Sequence, residues 1–204
     1  MTGPHVDLWW LPVGAGGHVV IHTSRWWELL RARREHRHPR PLFHAALEAF
    51  DGDGRYVIEM TPAWGQPAGS RGVVANGPVG AQRLGRLRSF RYEVRCWEDG
   101  TIPDKDWAVG PPARFALTPD DARALLGRVA TVPPLTWGRD VLDVGDMWNS
   151  NSLVSWLLHT SGIDASDLAP PHGGSAPGWR SGIAAAMLPA GRGDGPGKEP
   201  ARRA

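Results

Sequence analysis

The chain has 204 residues and a formal net charge of +2 at pH 7. That length suits one domain with a hydrophobic core. The charge is far below what nonspecific nucleic-acid binding requires, because such affinity comes from neutralising many phosphates. Cys96 is the single cysteine, which excludes an intramolecular disulfide and a thiolate metal cluster. No apolar run is long enough to span a bilayer, and the N-terminus shows no signal-peptide pattern. We therefore expect a soluble, cytoplasmic protein without a membrane partner.

The first quarter of the chain predicts a hairpin and a helix. Residues 6–12 and 18–21 are short β-rich runs on either side of a glycine-rich turn, and this pattern favours an opening β-hairpin. Ser24 is a suitable N-cap for a helix over residues 25–37, whose second half is basic. Cations are favourable at the C-terminal end of a helix, so a solvated basic face explains this segment.

A second hairpin is predicted over residues 42–50 and 55–61, because an Asp-Gly-Asp-Gly turn joins two apolar runs. Centring the turn pairs Leu47 with Ile58, and the same register pairs Ala45 with Met60 and Ala49 with Tyr56 on one apolar face. The opposite face then carries His44 across from Thr61, Ala46 across from Glu59, and Glu48 across from Val57. In this register His44 and Glu59 become diagonal neighbours within side-chain reach.

The rest of the chain predicts a loop, two strands and further helices. Residues 62–81 form a Gly- and Pro-rich loop with one short strand at 72–75, and residues 90–97 alternate as a strand with a solvated polar side. Thr118 begins a helix to about residue 130, and a later helix closes at Gly162. Residues 183–188 are a last short element. We expect one α+β domain over residues 1–189 and a disordered tail over 190–204.

The stretch before that later helix combines capping residues with candidate chemistry. Asn149-Ser150-Asn151-Ser152 follows Trp148 and opens an apolar helix. Asn and Ser are preferred N-caps, so a structural role explains them without any reaction. A helix N-terminus also favours negative charge, and a nucleophile there needs a base such as a histidine oriented by a carboxylate. His44 beside Glu59 supplies that pair.

These motifs resemble the circularly permuted branch of the papain-like superfamily, which includes NlpC-type hydrolases, PPPDE peptidases and lecithin retinol acyltransferase relatives. The context of His44 at the start of a strand and the Asn151-Ser152 pair at the start of a later helix carry the resemblance. It implies a central antiparallel sheet with packed helices, and a hydrolase or acyltransferase acting on an amide or thioester bond. Ser152 stands where such enzymes keep cysteine. His44 is then the base, Ser152 the nucleophile and Glu59 the orienting carboxylate.

Several alternatives remain open at this point. Asn149 and Asn151 are candidate polarising amides, and Trp148 and Trp64 are candidate ligand-binding rings among eleven tryptophans. A protein that has lost the activity would use the same cleft to bind a peptide or acyl group. Nucleic-acid binding by residues 31–40 is a weaker alternative. No motif predicts a metal or another cofactor, because the histidines near His36 do not form a zinc pattern.

Overall fold

The computed structural model describes residues 3–14, 28–30, 32–63, 72–102 and 104–189. In these residues six strands form one antiparallel sheet in the order β4-β5-β3-β2-β1-β6. The strands are β1 His5–Pro12, β2 Phe43–Phe50, β3 Arg55–Pro62, β4 Val73–Pro78, β5 Arg91–Glu98 and β6 Ala113–Ala116. The second half of the chain adds the helices α1 Pro119–Arg128, α2 Ser150–Thr160 and α3 Trp179–Ala186. The predicted α+β class with a central antiparallel sheet is confirmed.

The β2–β3 hairpin has the predicted register but is shorter than predicted. Leu47 pairs with Ile58, and pairing continues from there to the turn. The Asp51 carboxylate accepts bonds from the amides of Asp53 and Gly54, and this Asx turn fixes the connection. The ladder does not extend beyond Leu47–Ile58, so the predicted pairing of His44 with Thr61 is not formed.

The first strand is confirmed, whereas its predicted hairpin partner at 18–21 lies outside the described residues. β1 pairs with β2 along its whole length and with β6 through its first half. Of the predicted helix over 25–37, residues 28–30 and 32–34 are helical. The described part ends earlier than predicted because His36 adopts a left-handed backbone conformation (φ 49°).

Most later elements agree with the sequence pattern. The predicted strand at 72–75 extends to Pro78 as β4, and α1 begins after Thr118, whose side chain accepts a bond from Asp121 N. Gly162 follows α2 with a positive φ of 84°, as a glycine C-cap does. The last element among the described residues is α3, which begins four residues earlier than predicted. Residues 190–204 lie outside the described residues.

One prediction for the fifth strand is wrong at its start. Phe90 does not begin β5 but ends the second of two short 3-10 turns, Gln82–Arg86 and Arg88–Phe90. Its ring is 40% exposed instead of facing the core.

The two faces of the sheet bury different clusters. On one face, side chains such as Ala45, Leu47 and Ile58 pack with the helices into the main core, to which α2 contributes Leu153 and Leu157. The other face carries a smaller cluster of Leu11, Ala46, Val57 and Ile102. None of the helices among the described residues is long and apolar enough to cross a membrane.

A buried carboxylate lies on this second face. Glu48 is 2% exposed, and its carboxylate accepts bonds from Trp9 Nε1, Arg55 Nη1 and Lys105 Nζ at 2.9, 2.8 and 2.6 Å. A buried charge is tolerated only when it is paired and hydrogen-bonded in this way. The segment that carries Lys105 is thereby held over the sheet.

Candidate active site

The N-terminus of α2 is closed by a reciprocal cap. Asn149 is the N-cap, and its Oδ1 accepts bonds from the amides of Asn151 and Ser152 at 2.9 and 3.4 Å. The Ser152 hydroxyl in turn accepts the Asn149 amide at 2.9 Å and donates to the Gly178 carbonyl at 2.8 Å. Ser152 has no exposed surface. Its hydroxyl therefore has a capping role and does not face His44.

Asn151 fastens α2 to the edge of β2. Its Oδ1 accepts the Ala45 amide at 2.8 Å, and its Nδ2 donates to the carbonyl of Phe43 at 3.1 Å. On the β1 side, Val13 N donates to the Leu42 carbonyl. Backbone groups alternate in direction along a strand, so the Phe43 carbonyl and the Ala45 amide point away from β1. The carboxamide thus occupies the edge of β2 that β3 leaves unpaired.

The turn at Pro177 and Gly178 completes the contact between α2 and β2. We call this turn, together with Asn149 and Asn151, the junction. The Pro177 carbonyl accepts bonds from Nδ2 of both Asn149 and Asn151, at 2.8 and 2.9 Å. Gly178 has a φ of +95°, and a Cβ at this position would lie 2.1 Å from Asn149 Oδ1. The Asp146 carboxylate accepts the Gly178 amide at 2.8 Å. Both amide side chains predicted to polarise a substrate are therefore used to hold this turn.

Ser150 is the member of the tetrad that faces a histidine. Its Oγ lies 3.0 Å from His44 Nδ1, and both side chains are partly exposed. The contact follows from the bonds of Asn151 to Phe43 and Ala45. His44 lies between these two residues on β2, and Ser150 is the neighbour of Asn151, so the two side chains meet. Ser150 is the first residue of α2, so its own amide has no acceptor within the helix. The geometry is a hydroxyl and an imidazole in hydrogen-bond contact at a helix N-terminus.

The surroundings of His44 favour the neutral ring. Burial lowers the pKa of His44 from 6.5 to about 4, and the negative charge of Asp104 acts in the opposite direction. The positive end of the α2 dipole also disfavours an imidazolium at this position. At neutral pH the ring is uncharged, with one nitrogen available as an acceptor. The charge that acts on His44 comes from Asp104, in the segment that follows β5.

Glu59 does not have the partner predicted for it. Because the β2–β3 ladder ends at Leu47–Ile58, Glu59 is not paired across from Ala46, which is the arrangement that would place it beside His44. Glu59 lies opposite Arg95 on β5, with Nη1 3.5 Å from Oε1, and Arg95 Nη2 donates to Glu93 at 3.0 Å. Burial raises the pKa of Glu59 above its usual value, and the positive charge of Arg95 opposes this shift only in part. Arg95 is 5% exposed, so at this residue the polar side of β5 is a buried ion-pair group and not the solvated face that was predicted.

Trp148 does not have the ligand-binding position predicted for it. This residue has no exposed surface and packs in the main core, so its ring cannot contact a ligand. Trp64 lies outside the described residues. Cys96 is partly buried, and burial raises the pKa of its thiol to about 11, as expected for an unreactive cysteine.

Two residues of this site were missed by the sequence analysis. The first is Ser150, which belongs to the tetrad. A sequence signal for it exists: the capping-box spacing between Asn149 and Ser152 places Ser152 in the cap, and Ser150 can then face outward. Asp104 carried no signal, because its proximity to His44 depends on how a loop packs on the sheet. No cluster of three or more potential metal ligands occurs in the part of the chain that the structure describes.

Compared with the models of known protein families, with curated proteins and with solved structures, the chain shows no match.

The junction predicts a large difference between two asparagine substitutions. Asn151→Ala removes three buried hydrogen bonds and leaves the Ala45 amide and Phe43 carbonyl without their partner, so we expect a loss of about 2–4 kcal/mol in the free energy of unfolding. Asn76→Ala, at an exposed position of β4, should change it by less than about 0.5 kcal/mol. Urea unfolding measures both values. Equal effects of the two substitutions would contradict the proposed role of Asn151.

The depressed pKa of His44 predicts a pH-dependent stability. Below pH 6.5 the unfolded chain binds a proton at this position, whereas the folded chain binds it only near pH 4. The free energy of unfolding should therefore fall as the pH decreases from about 6.5 to about 4, and this fall should be smaller in His44→Gln. His38→Gln, at an exposed position, is the matched control. An NMR titration that gives His44 a pKa of 6.5 or higher would refute this prediction.

Proposed function

We propose that the protein is a serine-type hydrolase or acyltransferase that acts on an amide or thioester bond. The observation that supports this proposal is the 3.0 Å contact between Ser150 Oγ and His44 Nδ1 at the N-terminus of α2. In this proposal Ser150 is the nucleophile and His44 is the general base. Asp104 replaces Glu59 as the acidic residue that stabilises the imidazolium formed during the reaction.

The reaction begins when Ser150 Oγ attacks the carbonyl carbon of the substrate. The hydroxyl proton moves to His44 Nδ1 as the new C–O bond forms. When the tetrahedral intermediate collapses, the bond to nitrogen or sulfur breaks, and the imidazolium returns its proton to the leaving group. Water, or a second acceptor in a transferase, then attacks the acyl-serine with the same ring as base.

The helix terminus supplies the stabilisation of negative charge. The Ser150 amide at the first position of α2 is a donor without an intrahelical acceptor, and the helix dipole adds a partial positive charge at the same place. Both favour the oxyanion of the intermediate. A hydroxyl cannot be stored as an anion in the way a thiolate is, so the low pKa of His44 serves to keep the ring neutral and ready to accept the proton.

The arrangement also supports the proposed kinship with the permuted papain-like superfamily. A histidine on an early strand precedes a nucleophile at the start of a later helix, and this helix packs on an antiparallel sheet. The nucleophile position in this proposal is Ser150 rather than Ser152.

A second candidate function is a binding module without catalysis. A cavity of about 520 Å³ lies at the start of β2, and its lining includes Pro12, Leu29, Pro41 and Leu42. Leu42 is two residues from His44 in the sequence, but neither His44 nor Ser150 is among the residues that line this cavity. A module of this kind keeps its ligand affinity when Ser150 and His44 are both substituted.

A fluorophosphonate probe tests the nucleophile. We expect the wild-type chain to form an adduct that peptide mass spectrometry maps to Ser150, and Ser150→Ala to form none. His44→Gln should slow the labelling by about a hundredfold or more, because the base is lost. The labelling rate should also fall as the pH is lowered through about 4, where the His44 ring becomes protonated.

Ser89→Ala is the control, because Ser89 is exposed in a 3-10 turn outside the site. This variant should be labelled at the wild-type rate. An adduct that maps to Ser152 would contradict the assignment of Ser150, and the absence of any adduct on the folded chain would contradict the enzyme proposal in favour of the binding module.

A further inference from the structure

A surface outside the candidate site combines positive charge with exposed apolar side chains. It consists of the two 3-10 turns over residues 82–90, which we call the 82–90 segment. Between Glu59 and Glu93 the sequence contains five arginines and no acidic residue. Three of these arginines, Arg83, Arg86 and Arg88, are exposed in the 82–90 segment. In a chain whose net charge is only +2, this is a local concentration of positive charge.

The apolar side chains of the same segment are exposed among the arginines. Leu84 is 40% exposed, Leu87 58% and Phe90 40%. They recur at every third residue: Leu84 and Phe90 lie in the two 3-10 turns, and Leu87 is the extended residue that joins the turns. Exposing large apolar side chains to water is unfavourable. A single exposed one needs no explanation, but three within nine residues form a patch.

The backbone of the segment is held in place. The amides of Leu84, Leu87 and Phe90 donate to the carbonyls of Ala81, Leu84 and Leu87 at 2.9–3.0 Å. Val79 N, just beyond β4, donates to the Phe90 carbonyl at 2.8 Å. Gly85 packs so closely on Pro78 that a Cβ would lie 2.8 Å from the proline ring. The apolar and basic side chains are therefore presented from a fixed scaffold at the edge of the sheet.

We propose that the 82–90 segment binds the surface of an anionic lipid bilayer. Arginine side chains pair with lipid phosphates, while leucine and phenylalanine side chains insert at the boundary between headgroups and acyl chains. A nucleic acid offers phosphates but no apolar layer for Leu84, Leu87 and Phe90, so it matches only half of the surface. This contact lies at the bilayer surface and requires no membrane-spanning segment. It is independent of the proposed reaction at Ser150.

Vesicle flotation with the full chain tests the proposal. The probes are vesicles of phosphatidylcholine alone and vesicles in which about one third of the lipid is phosphatidylglycerol. We expect the wild-type chain to float with the anionic vesicles and not with the neutral ones, and the bound fraction to decrease with added salt. Binding equal to both, or to neither, would overturn the proposal.

Two double variants locate the surface. Leu87→Ser with Phe90→Ser removes the inserting groups, and Arg83→Gln with Arg86→Gln removes two charges while leaving every exposed apolar side chain. The arginine pair should weaken binding to anionic vesicles by about tenfold or more, since each charge near the surface contributes about a fivefold factor in affinity. The apolar pair should weaken it to a similar degree, because the two inserting side chains are lost. Both arginines are solvent-exposed, so replacing them should not disturb folding. Their result stands even if the apolar double variant fails to fold.

Matched controls lie elsewhere on the chain. Met187→Ser with Leu188→Ser changes two exposed apolar residues after α3, and Arg123→Gln changes an exposed arginine of α1. These variants should bind like the wild type. If they lose binding to the same degree as the 82–90 variants, or if a DNA duplex binds more tightly than the vesicles and competes with them, the assignment of this surface to lipid is overturned.

Discussion

The carboxamide of Asn151 in the edge of β2 is the interaction on which the rest of the site depends. It takes the place that a longer β3 ladder would fill, and it ties three parts of the chain together: the strand, the helix and the turn at Pro177. Asn149 and Ser152 use their remaining groups on the same turn and on the helix cap. With these three side chains buried or bonded, Ser150 is left to meet His44.

The electrostatics of the site follow from the same junction. The start of a helix brings a partial positive charge and an amide without an intrahelical acceptor to the position of Ser150. The imidazole beside it is held neutral by burial, while Asp104 favours its protonation. A ring placed between these opposing effects is suited to accept a proton briefly and then return it. The low pKa also means that the ring is a weak base, and the observed contact with the hydroxyl is what compensates for this.

The elements set by local patterns could be predicted, whereas the contacts made over long distances could not. The Asp-Gly turn fixed the register of the β2–β3 hairpin, and the Thr118 cap fixed the start of α1, because each depends on residues close in sequence. The end of the β2–β3 ladder depends on Asn151, which lies 106 residues from its partner Ala45. For that reason Glu59 was assigned to His44, although its partner is Arg95.

The choice between the two serines shows the same limit. Ser152 is three residues after the N-cap, so its side chain turns back to the cap, and a capping-box reading of the sequence would have shown this. Ser150 could be chosen only once His44 was known to lie beside it. Residue type alone makes Trp148 a candidate ligand-binding ring, but a large ring next to a helix start packs in the core just as readily.

The hydrogen bond between Ser150 and His44 is tested most directly by the tautomer of the His44 ring. NMR of the ¹⁵N-labelled full chain at pH 7 distinguishes the two neutral forms from the imidazolium. The proposed base requires Nδ1 to be unprotonated and to accept the Ser150 hydroxyl, with the proton on Nε2, and Ser150→Ala should shift the Nδ1 resonance. A ring protonated at Nδ1, which would donate to the serine, or an Nδ1 resonance unchanged in Ser150→Ala, would contradict the account.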